Sequence, residues 1–203
     1  MTDYFALFGQ VRRPWLDAGI LKARFLEMSG RWHPDHLSHL DEPQRRAAQE
    51  RYAGLNSAYQ CLREPRERLR HLLQLESDTP ITDIQQVPEE LVTDFMDAGK
   101  LCRQADAHLR RKAETTSPLL KVEVFAAGQE LGTELREFAA SIEQKRDAAL
   151  SAVRELDLVW DTAASQNEQR AGCLQQVRQL HHRLAFYDRW LNQLREKSTQ
   201  LIL

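Results

Sequence analysis

His33, Pro34 and Asp35 bring an imidazole ring, a fixed backbone angle and a carboxylate together in one tripeptide. Proline fixes its own φ angle and disfavours helix at the preceding residue, so the tripeptide predicts a loop that begins at His33. A carboxylate held by such a loop suits a contact with an arginine of a partner protein. The His33 ring can hold the loop shape by a hydrogen bond. The segment therefore indicates recognition of another protein.

The same loop offers a second chemistry, because His36 and His39 follow His33 at intervals of three residues. Together with Asp35 these rings have the types of side chain that bind zinc. Histidines in a polar loop are more often solvated, and we favour that interpretation, so we expect no metal and no cofactor.

The sequence gives little support for an enzyme. It contains no HExxH, GxSxG, Walker A or GxGxxG pattern. The three cysteines, Cys61, Cys102 and Cys173, lie far apart without a CxxC pair, which indicates neither a disulfide framework nor a zinc ribbon and favours a reducing compartment. The first ten residues lack the pattern of a signal peptide, and we expect a cytoplasmic protein.

Two amphipathic helices are predicted to hold the loop. The first runs from Asp17 to about Trp32, with apolar residues in steps of three and four, and the second runs from Glu42 or Pro43 to about Leu62. Matching stripes on either side of a tight loop predict a helical hairpin. A short helix, Asp3 to Phe8, would cover its open side, and another would span Arg66 to Leu75. The apolar stripes of the two hairpin helices are Leu21, Phe25, Met28 and Trp32 on the first helix, and Tyr52, Leu55, Tyr59 and Leu62 on the second.

The remainder of the chain is predicted to be a bundle. Residues 76–88 contain two prolines and read as a linker. Three helices follow, with breaks near residues 114–118 and 161–167, and no proline occurs after Pro118. Apolar stripes in each helix predict a three-helix bundle, so the fold class is all-α.

Charge separates these two parts. The 203 residues carry 28 basic and 30 acidic side chains, a net charge of −2, which does not favour nucleic-acid binding. Residues 1–75 carry 12 basic and 9 acidic side chains, whereas residues 76–203 carry 16 and 21. The difference suggests two modules with different partners. No apolar run is long enough to cross a bilayer, so no membrane contact is expected.

In this context the tripeptide resembles the signature of a J-domain, and residues 3–75 are similar to the J-domain of the HscB family, co-chaperones of iron–sulfur cluster assembly. The opening Asp3-Tyr4-Phe5-Ala6-Leu7-Phe8-Gly9 separates this family from other J-proteins. The other matching residues are Leu21, Arg24, Phe25, Met28, Trp32-His33-Pro34-Asp35, Leu55-Asn56, Ala58-Tyr59, Leu62 and Leu72-Leu73.

The resemblance implies a J-domain over 1–75, a linker over 76–88 and a client-binding three-helix bundle over 89–203. It implies two partners, a DnaK/HscA-type ATPase chaperone and an iron–sulfur scaffold protein of the IscU type. The loop would trigger ATP hydrolysis by the chaperone while basic residues of the preceding helix dock on its acidic surface. The residues carried over are His33, Pro34, Asp35, Lys22, Arg24 and Arg31. His36 stands where the family usually has lysine, which removes one permanent positive charge.

The resemblance also places a scaffold-binding surface on the bundle. Leu91, Val92 and Phe95 match its apolar part, whereas Met96, Gly99 and Arg103 replace the acidic positions of the family. Phe186 matches a further position. It lies about 200° from Leu184 around the helix, off the main apolar stripe, and Trp190 lies one turn further on. These two aromatic residues therefore predict a contact patch. Core packing competes as an interpretation for Leu91 and Phe95, because they also lie on a stripe with Ala98 and Cys102.

Three other functions stay open at this point. The bundle could deliver a different client protein to the chaperone. Residues 119–203 could instead form a coiled-coil dimer, because the last two helices carry spacings of three and four. The third is metal binding by the loop histidines.

Overall fold

The computed structural model describes residues 2–32, 41–77, 86–163 and 167–202. These residues form helices and no strand. The N-terminal helices are α1 (Tyr4–Leu7), α2 (Ala18–Trp32), α3 (Glu42–Arg63) and α4 (Pro65–Glu76). A short 3-10 turn, Glu89–Leu91, then leads into α5 (Val92–Glu114), α6 (Pro118–Ala163) and α7 (Asn167–Ile202). Each predicted helix is present with bounds within a few residues, and so is the break before Pro118. The loop that begins at His33, most of the predicted linker and residues 164–166 of the last predicted break lie outside the described residues.

Side-chain caps define α1 and α2. The Asp3 carboxylate accepts hydrogen bonds from the backbone N–H groups of Phe5 and Ala6, at 3.0 and 3.1 Å, and so satisfies the free donors at the start of α1. Gly9 follows α1 with φ +58°, a left-handed conformation that favours glycine. Asp17 caps α2 by accepting from the N–H of Ile20 at 2.8 Å.

The α2–α3 hairpin forms as the apolar stripes predict. The rings of Phe25 on α2 and Tyr59 on α3 stack with centroids 4.2 Å apart. Around them, the buried side chains come from α2, α3 and α4: Leu21, Leu55, Ala58, Leu62, Leu69, Leu72 and Leu73. Burial of this apolar surface is the main source of stability for so small a helical unit.

A buried arginine joins α3, α4 and the segment before α2. The Arg68 side chain donates from Nε to the carbonyl of Pro14 at 2.8 Å and from Nη1 to the carbonyl of Leu62 at 2.7 Å. Burial lowers the pKa of Arg68 to about 10. The guanidinium thus links parts of the chain that are far apart in sequence.

The apolar stripes of the two long helices are buried within the chain. They include Leu135, Ile142, Val153, Leu156 and Trp160 on α6, and Leu184, Leu191, Leu194 and Leu201 on α7. An intermolecular coiled coil would need these side chains at its own interface. These side chains are therefore not exposed to a second chain, and the structure does not support the coiled-coil dimer.

The chain divides into two compact units, which differ from the predicted modules. The first contains residues 1–81 and 152–181, and the second contains 82–151 and 182–203. The end of α6 and the start of α7 thus pack with the N-terminal helices. The sequence-based boundaries at 75 and 89 stay a prediction.

In the first unit, the Asp157 carboxylate of α6 holds the segment that precedes α2. Arg13 donates to it from Nε and Nη2, at 2.9 and 2.7 Å, and the N–H of Trp15 donates at 3.2 Å. Close by, the Trp160 indole donates to the carbonyl of Arg12 at 2.7 Å. Arg170 of α7 pairs with Glu76 at the end of α4, at 2.8 Å. These contacts explain why residues 152–181 belong to this unit.

In the second unit, ion pairs join each helix to the other two. Asp94 of α5 accepts from Lys145 of α6 at 2.6 and 2.8 Å. Asp106 of α5 pairs with Lys197 of α7 at 2.6 Å, and Arg146 of α6 pairs with Asp188 of α7 at 2.7 Å. The arrangement is the three-helix packing that the sequence predicts.

No helix in the described part of the chain combines the length and apolarity that crossing a membrane requires.

The Asp157 contact gives a stability prediction. Asp157→Asn keeps the size of the side chain but removes the buried counter-charge of Arg13 and leaves only the exposed Asp161 near it, so we expect a loss of about 2–3 kcal/mol. Chemical denaturation followed by circular dichroism measures it. Asp161→Asn is the matched control, because this exposed carboxylate lies 3.6 Å from Arg13 and should contribute less than about 0.5 kcal/mol. Equal losses in the two variants would contradict the assignment of Asp157 as the anchor.

Candidate functional site

The sequence predicts two interaction surfaces, and the first lies where α2 leads into α3. His33, Pro34 and Asp35 connect these helices and, with His36 and His39, lie outside the described residues. The described structure does provide the helices on either side. α2 ends at Trp32, α3 begins at Glu42, and Asp41 caps α3 by accepting from the N–H of Gln44 at 2.9 Å.

The short helix α1 is tied to the rest of the first unit through His71 of α4. The His71 Nε2 atom accepts a hydrogen bond from the backbone N–H of Tyr4 at 3.1 Å. Its ring stacks on the rings of Tyr4 and Phe5, with centroids 4.5 and 5.8 Å away. Burial lowers the pKa of His71, which favours the neutral ring that can accept this bond. The aromatic start of the chain is thus fixed in place.

Lys22, a predicted chaperone contact, is exposed on α2. Its ammonium group has no hydrogen bond or ion pair with any residue that the structure describes. An unpaired, solvated cation is available to an acidic partner. The chaperone contact itself stays a prediction.

Arg24, a second predicted contact, holds α1 in the structure. Its Nη1 donates to the carbonyl of Phe8 at 2.6 Å and to that of Gly9 at 3.2 Å. A Cβ atom at position 9 would lie only 2.8 Å from Nη1, so glycine also permits this close approach. Arg24 therefore satisfies carbonyls at the end of α1, a positioning role that helical periodicity does not reveal.

Arg31, the third predicted contact, forms a 2.7 Å ion pair with Glu27 one turn earlier on α2, and both side chains are exposed. An exposed pair of this kind is weak and can exchange for a partner's carboxylate.

The three predicted cations do not lie on one face. At 100° per residue, Lys22 and Arg31 are about 180° apart around α2, whereas Arg24 and Arg31 differ by about 20°. One flat docking face including all three is therefore ruled out by the helix geometry.

The second predicted surface is on α5, and the structure divides its residues. Leu91 is 2% exposed and belongs to the core, so its prediction as a binding residue is wrong. Val92 and Phe95 are 43% and 45% exposed, and Met96 beside them is 57% exposed. These three side chains form the α5 apolar patch. The competing interpretation of Phe95 as a core residue is also wrong.

Phe186 and Trp190 are 6% and 3% exposed, so the expected aromatic patch on α7 is not at the surface. The two rings lie 5.5 Å apart, and the Arg189 guanidinium lies 5.9 Å from the Phe186 ring. The reason is that α7 packs against both α5 and α6, so it buries an arc of about 160° rather than one stripe. The residues of this arc are Leu184, Phe186, Tyr187, Trp190, Leu191 and Leu194.

Beneath the α5 apolar patch lies a buried carboxylate, Asp94, that the sequence did not predict. Asp94 lies between Leu91 and Ala98 on the core face of α5, where its charge is neutralised by Lys145. Burial raises the pKa of the adjacent Tyr187, and the Asp94 carboxylate raises it further. The sequence shows a single acidic residue on an apolar stripe, which could have indicated a buried carboxylate. It does not indicate the partner, because Lys145 lies 51 residues away on α6.

Within the described ranges, no three His, Cys, Asp or Glu side chains are grouped to hold a metal ion. The loop histidines of the metal interpretation lie outside those ranges. The geometry that is described, a helical hairpin and an exposed apolar patch, is suited to binding proteins.

Two proteins named as homologues of the co-chaperone HscB are similar to this chain. The one from Aliivibrio salmonicida (strain LFI1238) is 31% identical over 153 residues, which are 70% of this chain and 88% of that protein. The one from Azoarcus sp. (strain BH72) is 32% identical over 119 residues, 53% of this chain and 67% of that protein. No protein-family model matches the chain.

Solved structures share the fold. HscB from Vibrio cholerae matches with a TM-score of 0.64 and 22% identity, over 98% of this chain and 99% of that one. The human co-chaperone HscB matches with a TM-score of 0.66 and 15% identity, over 97% and 82%. These matches confirm the predicted all-α architecture.

The burial of Phe186 predicts a large effect on stability. Phe186→Ala should lower the free energy of unfolding by about 3–5 kcal/mol, because it leaves a cavity beside Trp190. Phe95→Ala, which removes the same side chain from an exposed position, should cost less than about 1 kcal/mol. Urea denaturation of both variants measures the difference. A small loss for Phe186→Ala would restore the surface interpretation.

Proposed function

The chain belongs to the HscB family of co-chaperones, and we propose that it stimulates ATP hydrolysis by a DnaK/HscA-type chaperone and delivers an iron–sulfur scaffold protein to it. One observation carries the proposal. The connection between two packed helices holds His33-Pro34-Asp35, and the same chain carries a three-helix bundle with an exposed apolar patch.

At the chaperone end, the chain contributes charge and shape. Pro34 restricts the backbone of the loop, and the Asp35 carboxylate is suited to an arginine of the chaperone. Lys22 has no ion-pair partner among the described residues, and Arg31 becomes available when its weak pair with Glu27 opens. Arg24 contributes indirectly, because it fixes α1 against α2.

At the scaffold end, Val92, Phe95 and Met96 supply the apolar contact. Exposed apolar clusters of this kind mark protein interaction sites, because covering them removes apolar area from water. The Asp94–Lys145 pair holds this turn of α5 against α6. The patch is therefore presented on a helix that is already fixed in the free protein, which limits the entropy lost on binding.

The mechanism is one of placement. The bundle holds the scaffold protein while the loop triggers the chaperone to close on it, and the bond that breaks belongs to ATP on the chaperone. The chain itself needs only to bind. Its three thiols are free, and burial raises the pKa of Cys61 to about 11, which makes this thiol unreactive. Free thiols fit a reducing compartment, and we propose the cytoplasm.

The loop gives the first functional prediction. His33→Gln should reduce stimulation of the chaperone's ATP hydrolysis to the unstimulated rate, because the triplet loses the ring that we expect to hold its shape. Single-turnover ATP hydrolysis at increasing co-chaperone concentration measures this. His39→Gln changes the same side chain in the same loop and should retain stimulation. A His33→Gln variant as active as wild type would remove the J-domain interpretation.

The α5 apolar patch gives the second functional prediction. The Val92→Ala, Phe95→Ala double variant should weaken binding of the source organism's metal-free scaffold protein by about 10-fold or more, since central apolar contacts dominate such interfaces. Isothermal titration calorimetry of the full chain measures the affinity. Leu119→Ala and Val122→Ala, made together on exposed positions of α6, are the matched control and should bind normally. Equal affinities for all three proteins would exclude this patch.

A further inference from the structure

The α5 apolar patch continues along its helix into a pair of cations. Val92, Met96, Lys100 and Arg103 follow one another at steps of four, four and three residues, so they lie on one face of α5. All four are exposed. Arg103 lies about 10 Å along the helix from Met96, well within the length of one protein interface.

These two cations have no structural task among the described residues. Neither Lys100 nor Arg103 forms an ion pair there, whereas nearby Asp106 is already paired with Lys197 at 2.6 Å. Both lie in the interior of α5, away from the C-terminal turn where Arg111 and Lys112 stabilise the helix dipole. Like charges three residues apart on a helix destabilise it. Stability alone therefore does not explain this pair.

The local geometry directs Arg103 toward the apolar patch. Gly99 precedes it by one turn, and a Cβ atom at that position would lie 3.2 Å from Arg103 Nη1. The guanidinium thus extends back along the helix over Gly99. Phe95 lies one further turn toward the start of α5. The charged group and the apolar patch form one continuous surface.

We propose that Lys100 and Arg103 contact acidic side chains of the scaffold protein beside its apolar contact with Val92, Phe95 and Met96. The inference rests on the proposed function and specifies its partner: a protein face with an apolar centre and carboxylates about one to two helical turns away. A second copy of this chain fits poorly, because two such faces would bring like charges together. Charge complementarity of this kind selects partners and speeds their association.

The test is calorimetric titration of the full chain with the source organism's metal-free scaffold protein. The double variant Lys100→Glu, Arg103→Glu should weaken binding by about 10-fold or more, because it places like charges against each other. Lys121→Glu, Arg136→Glu makes the same change in net charge at exposed positions of α6 and should keep affinity within about twofold. Melting followed by circular dichroism checks that both variants remain folded.

Salt provides an independent measurement. Wild-type affinity should fall as NaCl rises from about 50 to about 500 mM, because ions screen exposed charges. Lys100→Gln, Arg103→Gln should bind more weakly at low salt and lose much of this dependence. The neutral variant also serves if the charge-reversed one does not fold.

The outcomes separate this inference from the proposed function. Loss of binding in both the Val92→Ala, Phe95→Ala variant and the charge-reversed variant supports the whole surface. If only the apolar variant binds weakly, the contact with carboxylates is wrong and the scaffold site remains. If wild type does not bind, the inference and the proposed delivery of the scaffold protein are both overturned. If wild type binds and neither variant weakens binding, this face of α5 is not the scaffold site and the inference is overturned, while the proposed function remains. Reversible dimerisation that the charge-reversed variant abolishes would identify a second copy as the occupant and overturn the inference.

Discussion

The irregular segment between α1 and α2 depends on charges that come from distant parts of the chain. Asp157 holds Arg13 and the backbone of Trp15, and Arg68 holds the carbonyl of Pro14. A segment without helix or strand has few internal hydrogen bonds, so its backbone groups need partners elsewhere. Because Asp17 caps α2 directly after this segment, the start of α2 depends on these anchors. The helix that precedes the loop is therefore positioned by two largely buried ionic groups.

Local pattern was sufficient for the helices but not for these anchors. A capping residue or a proline influences a helix end within about one turn of its own position, so helix ends can be predicted from nearby sequence. The residues that gave this information are Asp17, Pro34, Pro43 and Pro65. Arg13 and Asp157 are 144 residues apart, and no short-range pattern pairs them. The same holds for Arg24, whose partners are carbonyls that every residue possesses. The family resemblance indicated only a contact between Arg24 and the chaperone, whereas in the structure Arg24 holds the end of α1.

Phe186 and Trp190 show a second limit, which comes from the number of neighbours a helix has. A stripe of steps of three and four describes a helix with one buried side. In the second unit, α7 has ion pairs to α5 through Lys197 and to α6 through Asp188. A helix between two partners buries a wide arc, so residues on the edge of the predicted stripe become core. A family resemblance at Phe186 did not indicate exposure, which depends on the packing in this chain.

On α5 the unexpected residues are at the surface instead of in the core. They are exposed apolar side chains and two neighbouring cations. Val92, Phe95 and Met96 expose apolar area to water, and Lys100 and Arg103 carry like charges one turn apart without an ion pair among the described residues. Each feature disfavours the free protein slightly, and both lie on the same face. Surface residues that make the free protein slightly less stable often belong to binding sites. A partner that covers the apolar side chains and pairs with the cations removes both unfavourable features. Apolar contact then provides most of the affinity, and the cations decide which apolar partner is accepted. Specificity in a placement mechanism depends on that choice, because a client held at the wrong face would be presented to the chaperone in the wrong orientation.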